Sequence, residues 1–307
     1  MKNSGLTTRS FFLLFDQMQK EKLKKVFHPA QHQFHQPGRE KQMHPRPDFY
    51  DDLYRPAGKL TGKTAIITGG DSGIGRSVAA CFAAEGADVA IIYLEETDDA
   101  RFTSEFIQDR FARKCIMVKC DIRKESNCKS AINKILKKIP GINILVNNAG
   151  IHYPQDSILK ITNQQLEKTF RTNVFSMFYL CKAVLPFMNA GDSIINTASV
   201  TAYRGSGHLV DYASSKGAIV SFTRSLAQQL AEKNIRVNAV APGPIWTPLI
   251  VASFKKEKVR QFGTNVPLKR AGEPIEVAPA YVFLASSDSS YITGQVIHIN
   301  GGEIING

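Results

Sequence analysis

Cysteine is sparse in this chain, and its spacing gives no sign of a disulfide framework or a zinc site. The five cysteines are an odd number and include no C-x-x-C pair. Disulfide-rich secreted domains and zinc modules depend on such regular spacing. We therefore predict free thiols and a reducing, cytoplasmic location, with Cys81 and Cys181 packed as small apolar side chains.

Long apolar runs are missing as well. No stretch has the roughly 20 consecutive apolar residues that a membrane-spanning helix needs, so we predict no membrane association. The short apolar segment at residues 11–15 is followed at once by Asp16 and Lys20, which argues against a secretory signal. Initiation at Met18 or Met43 is an alternative that would remove this segment.

Positive charge is abundant but is not gathered into a nucleic-acid footprint. The net charge is +12, and the first 59 residues hold 11 Lys/Arg against 6 Asp/Glu. No single run is densely basic, so solvated charge and an anionic ligand explain the balance better than nucleic acid does. A nucleic-acid binder that uses the basic N-terminal residues remains the least favoured alternative.

The chain divides near residue 60. Residues 1–59 carry no sustained hydrophobic period and are rich in Gln, His, Pro and Lys, which predicts an irregular arm that lies on the rest of the protein. His28, His32, His35 and His44 lie among Gln and Pro without a ligand spacing, so we predict no metal site. Residues 60–307 form the second predicted unit, a single globular domain.

Short apolar runs alternate with helical patterns from residue 60 onward. The runs cover residues 63–68, 88–93, 116–119, 142–146, 193–196, 237–240 and 295–299. Alternation of this kind is typical of β-α-β units with right-handed crossovers. We predict an α/β fold in a single domain, with a doubly wound parallel sheet of about seven strands and helices on both faces.

Three segments carry chemistry. A glycine-rich turn, Thr68 to Gly75, follows the first strand and opens a helix, where backbone N–H groups and the helix dipole favour a pyrophosphate. The sequence Asn-Asn-Ala-Gly, residues 147–150, follows the fourth strand with small side chains that leave room for a ligand. In a third segment, Tyr212 and Lys216 are four residues apart on a helix, so a cation next to the phenol would lower the pKa of the tyrosine.

Together these residues resemble the classical short-chain dehydrogenase/reductase family, over residues 60–304. Within it, the glycine turn, the segment 241–249 and the proline-bearing arm resemble a branch of general stress proteins and glucose/ribitol dehydrogenases. The residues that carry the resemblance are Thr68, Gly69, Gly73, Ile74, Gly75, Asp121, Asn147, Asn148, Ala149, Gly150, Asn173, Ser199, Tyr212, Lys216, Pro242 and Gly243. It implies a Rossmann-type fold and an NAD(P)-dependent enzyme that interconverts an alcohol and a carbonyl by hydride transfer.

The resemblance also implies residue roles. Tyr212 would be the acid/base, Lys216 would depress its pKa and hold the nicotinamide ribose, Ser199 would bind the substrate oxygen, and Asn173 would hold a water. Asp121 would bind the adenine amino group. The full set of implied cofactor-binding residues is Gly69, Ser72, Gly73, Ile74, Gly75, Tyr93, Asp121, Ile122, Asn148, Ala149, Gly150, Tyr212, Lys216, Pro242, Gly243, Ile245 and Thr247.

Signals for the cofactor conflict. NAD-specific relatives usually end the second strand with Asp, but Tyr93 and Leu94 stand here and Glu95 and Glu96 come late. The basic residue that NADP enzymes often place before the second glycine is replaced by Ser72. We predict NADP or dual use ahead of strict NAD.

The loops beyond the strand ends are expected to form the substrate pocket. We predict that His152, Gln155 and Trp246 contact substrate and that residues 245–263 form a mobile lid. A polar pocket edged by aromatic rings suits a small aldehyde, ketone, sugar or polyol. Alternatives are a 3-oxoacyl carrier-protein reductase and a catalytically silent NAD(P)-binding sensor, although intact Ser199, Tyr212 and Lys216 argue against the sensor.

The family also implies an assembly. Long helices are predicted at residues 163–188 and 211–232, and in the family such helices pack against those of a second subunit. Apolar residues such as Phe175 and Phe178 are compatible with this arrangement. We predict a homotetramer whose terminal residues 301–307 tuck into a neighbouring subunit.

Overall fold

A seven-stranded parallel sheet forms the centre of the molecule. The computed structural model describes residues 27–139 and 141–303. The strands are β1 (Thr64–Thr68), β2 (Asp88–Tyr93), β3 (Cys115–Lys119), β4 (Ile144–Asn147), β5 (Ser193–Thr197), β6 (Arg236–Pro242) and β7 (Val296–Ile299). Each lies within one or two residues of a predicted run, because short, β-branched and doubly buried segments are the strongest strand signal.

The strand order reverses once. Neighbours in the sheet follow the order β3-β2-β1-β4-β5-β6-β7, and all pairs are parallel. From β1 the chain adds β2 and β3 on one side, and it then adds β4 to β7 on the other side. A crevice therefore opens between β1 and β4, at their carboxyl ends. The predicted α/β Rossmann-type class is confirmed.

Helices cover both faces of the sheet. They are α1 (Gly73–Ala84), α2 (Thr97–Phe111), α3 (Glu125–Leu136), α4 (Asn163–Phe170), α5 (Ser176–Val184), α6 (Thr201–Arg204), α7 (Val210–Leu230), α8 (Pro248–Val251), α9 (Lys256–Arg260) and α10 (Pro274–Ala285). Short 3₁₀ turns occur at Glu40–Gln42, Ile158–Lys160, Leu185–Phe187, Ala231–Lys233 and Ser287–Ser289. Among the described residues, no helix combines the length and the apolar character needed to cross a membrane.

Successive residues of β1 pack into two different hydrophobic cores, one on each face of the sheet. Ile67 packs with Phe82 of α1 and Tyr281 of α10 on one face of the sheet. Ile66, its neighbour, packs with Ile132 of α3 and Leu180 of α5 on the other face. Successive strand residues point to opposite faces, so a strand buried on both sides needs an uninterrupted apolar run.

One predicted helix is interrupted. The pattern over 163–188 becomes α4, a π-helical turn at Arg171–Phe175, and α5. A π turn arises from one extra residue in the helical ladder, which hydrophobic periodicity does not reveal, and such turns often occur at functional sites. Asn173 lies in this turn.

Residues 27–59, called the arm below, contain no strand and only one short helical element, the 3₁₀ turn Glu40–Gln42. Met43 is fully buried among Trp246, Val251 and Phe254, so this methionine is part of a packed cluster. The apolar segment 11–15, Met18 and residues 304–307 lie outside the described residues.

Candidate functional site

A cavity of about 1050 Å³, called the main cavity below, lies at the crevice between β1 and β4. That volume is enough for a dinucleotide and a small substrate. Eighteen of the predicted site residues line it: Gly69, Ser72, Gly73, Ile74, Tyr93, Asp121, Ile122, Asn148, Ala149, Gly150, His152, Ser199, Tyr212, Lys216, Pro242, Gly243, Ile245 and Thr247. Four predicted residues, Gly75, Gln155, Asn173 and Trp246, are not part of the lining.

The glycine turn is built around two close approaches. Gly69 has a φ of +64°, a backbone conformation that favours glycine. A Cβ at Gly75 would lie 1.9 Å from the carbonyl oxygen of Gly69, so α1 can start this close to β1 only without a side chain there. Gly75 therefore does not line the cavity, but its lack of a side chain allows the close approach of α1 to β1 that shapes it.

The end of β4 is tied to the end of β1 by one hydroxyl. Thr68 Oγ1 accepts hydrogen bonds from the backbone N–H groups of Asn148 (2.9 Å) and Ala149 (3.0 Å). Asn148 Nδ2 in turn donates to the Thr68 carbonyl at 3.1 Å. This network fixes the Ala149–Gly150 turn on one side of the crevice.

Ser199, Tyr212 and Lys216 converge on the opposite side. Tyr212 and Lys216 lie on successive turns of α7, and the Lys216 ammonium is 5.4 Å from the centre of the Tyr212 ring. Lys216 Nζ donates to the Thr197 carbonyl at the end of β5 (2.7 Å). Ser199 follows the same strand, and the interaction of its hydroxyl with Tyr212 lowers the pKa of the phenol.

Burial outweighs these favourable contacts. Desolvation raises the pKa of Tyr212 to about 12, and it lowers the pKa of Lys216 from 10.5 to about 7. The direction predicted for the tyrosine is therefore wrong for the cavity as it stands, because the phenolate and the ammonium both lose water there. A phenol with this pKa is protonated at neutral pH and can act as a proton donor.

Lys216 should lower the stability of the protein near neutral pH. Because its pKa is lower in the folded chain, the unfolded chain holds the extra proton between about pH 7 and 10.5, and the free energy of unfolding rises with pH across that window. Below it, the burial cost is up to about 5 kcal/mol. We expect Lys216→Met to be more stable than wild type at pH 7, because it removes this burial cost. The gain is reduced by roughly 1–3 kcal/mol, since the Thr197 carbonyl loses its hydrogen-bond donor.

Urea unfolding at pH 7 and pH 10 measures this prediction. The advantage of Lys216→Met should shrink at the higher pH, whereas Lys129→Met, at an exposed lysine of α3, should show no such trend. An advantage that is the same at both pH values would contradict the assignment.

Asn173 supports the site from behind. It is fully buried, its Oδ1 accepts from the Ile151 N–H (2.9 Å), and its Nδ2 donates to the Ile151 carbonyl and to Ser215 Oγ (both 3.0 Å). A Cβ at Gly150 would lie 3.5 Å from Asn173 Oδ1 and 3.6 Å from Lys216 Nζ. Asn173 thus fixes the turn beside Lys216, and its predicted water remains a prediction.

The three residues predicted to contact substrate lie in different environments. His152 lines the cavity, with its ring edge-on to Tyr212 at 5.1 Å, and burial lowers its pKa to about 3, so the imidazole is neutral. Gln155 instead donates to Gln165 (2.8 Å) outside the cavity. Trp246 is fully buried, because the chain turns it away from the crevice and into the arm.

The arm holds Trp246 by two contacts. The His28 imidazole stacks on the indole at 3.7 Å, and the indole N–H donates to the Pro45 carbonyl at 3.0 Å. Prediction of a substrate contact failed here because the partners of Trp246 are about 200 residues away in sequence, and local pattern cannot reveal them.

The arm also reaches the cavity itself. His35, Gln36, Pro37 and Gly38 are part of the lining, and none of them was among the predicted site residues. Gln36 Nε2 donates to the His152 carbonyl (2.8 Å), and a Cβ at Gly38 would be 2.6 Å from the Pro248 carbonyl. The glycine at position 38 was the one available signal, since such a close approach excludes a side chain.

Glu40 anchors the arm at the start of α1. Its buried carboxylate accepts from the Gly73 N–H (2.7 Å) and from Arg76 Nη1, and its own N–H donates to Asp99 Oδ2 (3.0 Å). Burial raises the pKa of Glu40 although Arg76 opposes that shift. An acid at a helix N-terminus also complements the helix dipole.

A dinucleotide fits the arrangement. The glycine turn leaves the start of α1 without side chains that would fill the crevice, and Gly150 keeps the space beside Lys216 open. The cavity extends from Tyr93 and Asp121 at one end to Ser199 and Tyr212 at the other. An anionic linker would lie at the helix N-terminus between them.

Comparison with known proteins supports this interpretation. The family model described as enoyl-(acyl carrier protein) reductase matches residues 69–303. General stress protein 39 of Bacillus subtilis is 50% identical over 277 residues, which cover 90% of this chain and 96% of that protein. The NADPH-dependent aldehyde reductase 1, chloroplastic, of Arabidopsis thaliana is 51% identical (90% and 98% covered). The glucose and ribitol dehydrogenase of Daucus carota is 49% identical (91% and 98% covered).

A solved structure has the same overall fold. The short chain dehydrogenase from Burkholderia cenocepacia, in complex with NADP, superposes with a TM-score of 0.74 at 29% identity and covers 80% of this chain and 98% of that one. Both the family match over most of the chain and relatives at about half identity confirm the resemblance seen in the motifs. The chain therefore belongs to the short-chain dehydrogenase/reductase family and is an NAD(P)-dependent oxidoreductase that interconverts alcohols and carbonyls.

Proposed function

We propose that this enzyme reduces small polar carbonyl compounds, namely aldehydes, sugars and related ketones, to alcohols, and that Tyr212 donates the proton. The observation that carries the proposal is the convergence of Ser199, Tyr212 and Lys216 on a cavity that continues to the glycine turn. A phenol protonated at neutral pH supports the reductive direction. The reverse oxidation uses the same groups.

Each residue has a physical task in this proposal. When bound, the nicotinamide supplies the hydride, and the negative charge that develops on the substrate oxygen needs donors already in place. Ser199 and Tyr212 donate to that oxygen, and Tyr212 transfers its proton to it. Lys216, held at the end of β5 by its bond to the Thr197 carbonyl, would hold the ribose hydroxyls of the cofactor.

The remaining lining residues would bind the cofactor along the crevice. Gly69, Ser72, Gly73 and Ile74 would contact the phosphates, with Gly75 supporting the turn. Tyr93, Asp121 and Ile122 are at the adenosine end, and Asn148, Ala149 and Gly150 flank the middle. Pro242, Gly243, Ile245 and Thr247 would contact the nicotinamide.

The substrate class rests on the polar part of the lining. Lys168, Arg204, His208 and Asn265 line the cavity beyond the catalytic residues, which suits hydroxylated substrates better than long acyl chains. The names of the aldehyde reductase and the glucose and ribitol dehydrogenase point the same way. Residues 245–263, of which Phe254, Glu257, Lys258 and Gln261 face the cavity, are proposed as its lid.

We also propose NADP(H) as the preferred cofactor, a cytoplasmic location and a homotetramer. The Arabidopsis relative is named NADPH-dependent and the Burkholderia structure holds NADP. All five cysteines are free. Phe175, Phe178 and Phe187 are 40–45% exposed near the surface of α5, which supports burial against a second subunit.

A substrate screen tests this function. Aldehydes, ketones, sugars, polyols and an acyl thioester are offered with NADPH and NADH, and turnover is followed by the nicotinamide absorbance. We expect turnover of short polar aldehydes or sugars. Turnover of the acyl thioester alone would establish the carrier-protein reductase instead, and binding of cofactor without turnover of any substrate would favour the silent sensor.

A further inference from the structure

A side pocket of about 680 Å³ opens beside the main cavity, at the carboxyl ends of β2 and β3. It shares His35, Leu94, Glu95, Cys120, Asp121 and Arg123 with the main cavity, so the two are continuous. Arg39, Glu96 and Lys119 complete its lining. In this fold, the end of the second strand lies beside the 2′-position of the adenosine ribose.

The charges in this pocket come from two parts of the chain. Arg123 belongs to the body. It donates hydrogen bonds to both carboxylate oxygens of Asp121, from Nε at 2.8 Å and from Nη2 at 2.7 Å. Arg39 belongs to the arm, and its Nε is 3.3 Å from Glu96 Oε2. That pair uses a single nitrogen of the guanidinium, whose side chain is 56% exposed.

The backbone of Arg39 is held on both sides. Its N–H donates to Gln33 Oε1 (2.7 Å), and its carbonyl accepts from Gln33 Nε2 (2.9 Å). Glu40, the next residue, is fixed by Gly73 and Arg76. Arg39 therefore lies at the side pocket on a hydrogen-bonded segment of the arm, so its backbone is already ordered before a ligand binds.

We infer that Arg39 of the arm binds the 2′-phosphate of NADP(H) and determines the preference for that cofactor. The inference rests on the proposed function and explains how the preference arises when Ser72 occupies the position of the usual basic residue. Guanidinium groups bind phosphate through paired N–H donors. Glu96 holds the guanidinium in place when the phosphate is absent and competes with the phosphate for it.

Binding of two adenosine ligands tests this inference without catalysis. Titration calorimetry compares adenosine 2′,5′-bisphosphate with 5′-AMP, which differ only in the 2′-phosphate. We expect Arg39→Ala to weaken binding of the bisphosphate by about 10- to 100-fold, as loss of a charged hydrogen bond predicts, with little change for 5′-AMP. Lys41→Ala is the matched control, because Lys41 pairs with Asp98 (2.6 Å) and lines neither cavity.

Glu96→Gln gives a second, independent test. Removal of this competing carboxylate should strengthen binding of the bisphosphate and leave 5′-AMP unaffected. If Glu96 instead binds the ribose 2′-hydroxyl, the variant will bind 5′-AMP more weakly, which overturns the inference. Equal losses for both ligands in Arg39→Ala would overturn it as well.

The outcomes separate this inference from the proposed function. A wild-type preference for the bisphosphate that survives in Arg39→Ala refutes the role of Arg39 alone. Absence of any wild-type preference refutes both this role and the NADP(H) proposal, while carbonyl reduction through Tyr212 stands or falls on turnover.

Discussion

A Tyr212→Phe variant should lose about 10²- to 10⁴-fold in kcat for carbonyl reduction while its affinity for NADPH stays close to that of wild type. The ring keeps its edge-on contact with His152 and its place on α7, so the cavity retains its shape. Only the hydroxyl that would transfer the proton is removed. Steady-state rates and a cofactor titration on the same preparation measure the two effects.

Tyr203→Phe is the matched control for this experiment. Tyr203 lies on α6, close to the site in sequence, but it does not line the main cavity. Its buried hydroxyl has no hydrogen-bond partner among the described residues, so its removal should cost neither activity nor stability. If Tyr212→Phe retained wild-type turnover while Tyr203→Phe did not, the proton donor would be misassigned.

Glu40→Ala should lower the free energy of unfolding by about 3–5 kcal/mol. The substitution removes the carboxylate that pairs with buried Arg76 and accepts from the Gly73 N–H. Asp99 remains 3.5 Å from Arg76 and recovers part of the loss. Chemical denaturation with a two-state fit gives the change directly.

An exposed acid provides the comparison for Glu40. Glu105→Ala, on the outer surface of α2, should change the stability by less than about 0.5 kcal/mol. Equal effects of the two substitutions would mean that the arm is not anchored through Glu40 in solution.

Sequence alone predicts the sheet and its catalytic edge well. The strands are short, doubly buried and bounded by glycine or polar residues, so the apolar runs and the strand ends nearly coincide. Tyr212 and Lys216 are four residues apart on one helix, and Ser199 and Asn148 follow strand ends, where parallel topology brings them together. These relations are local, or follow from fold rules, and need no knowledge of tertiary packing.

What the sequence does not reveal depends on contacts between distant segments. Trp246 faces His28 and Pro45, and Glu40 faces Gly73 and Arg76, although nothing local at either end indicates the pairing. The pKa of Tyr212 is a second example. The neighbouring lysine can be identified from spacing, but the burial that raises the pKa of the phenol depends on the whole cavity wall.

Trp246 is the single tryptophan of the chain, and it lies under the arm. Its indole is stacked on an imidazole and shielded from water, so its intrinsic fluorescence depends on whether the arm covers it. Emission excited at the red edge of protein absorbance reports only this site, so departure of the arm would appear as a shift to longer wavelength and easier quenching by iodide. Release of the arm from Trp246 can thus be detected without attaching any dye.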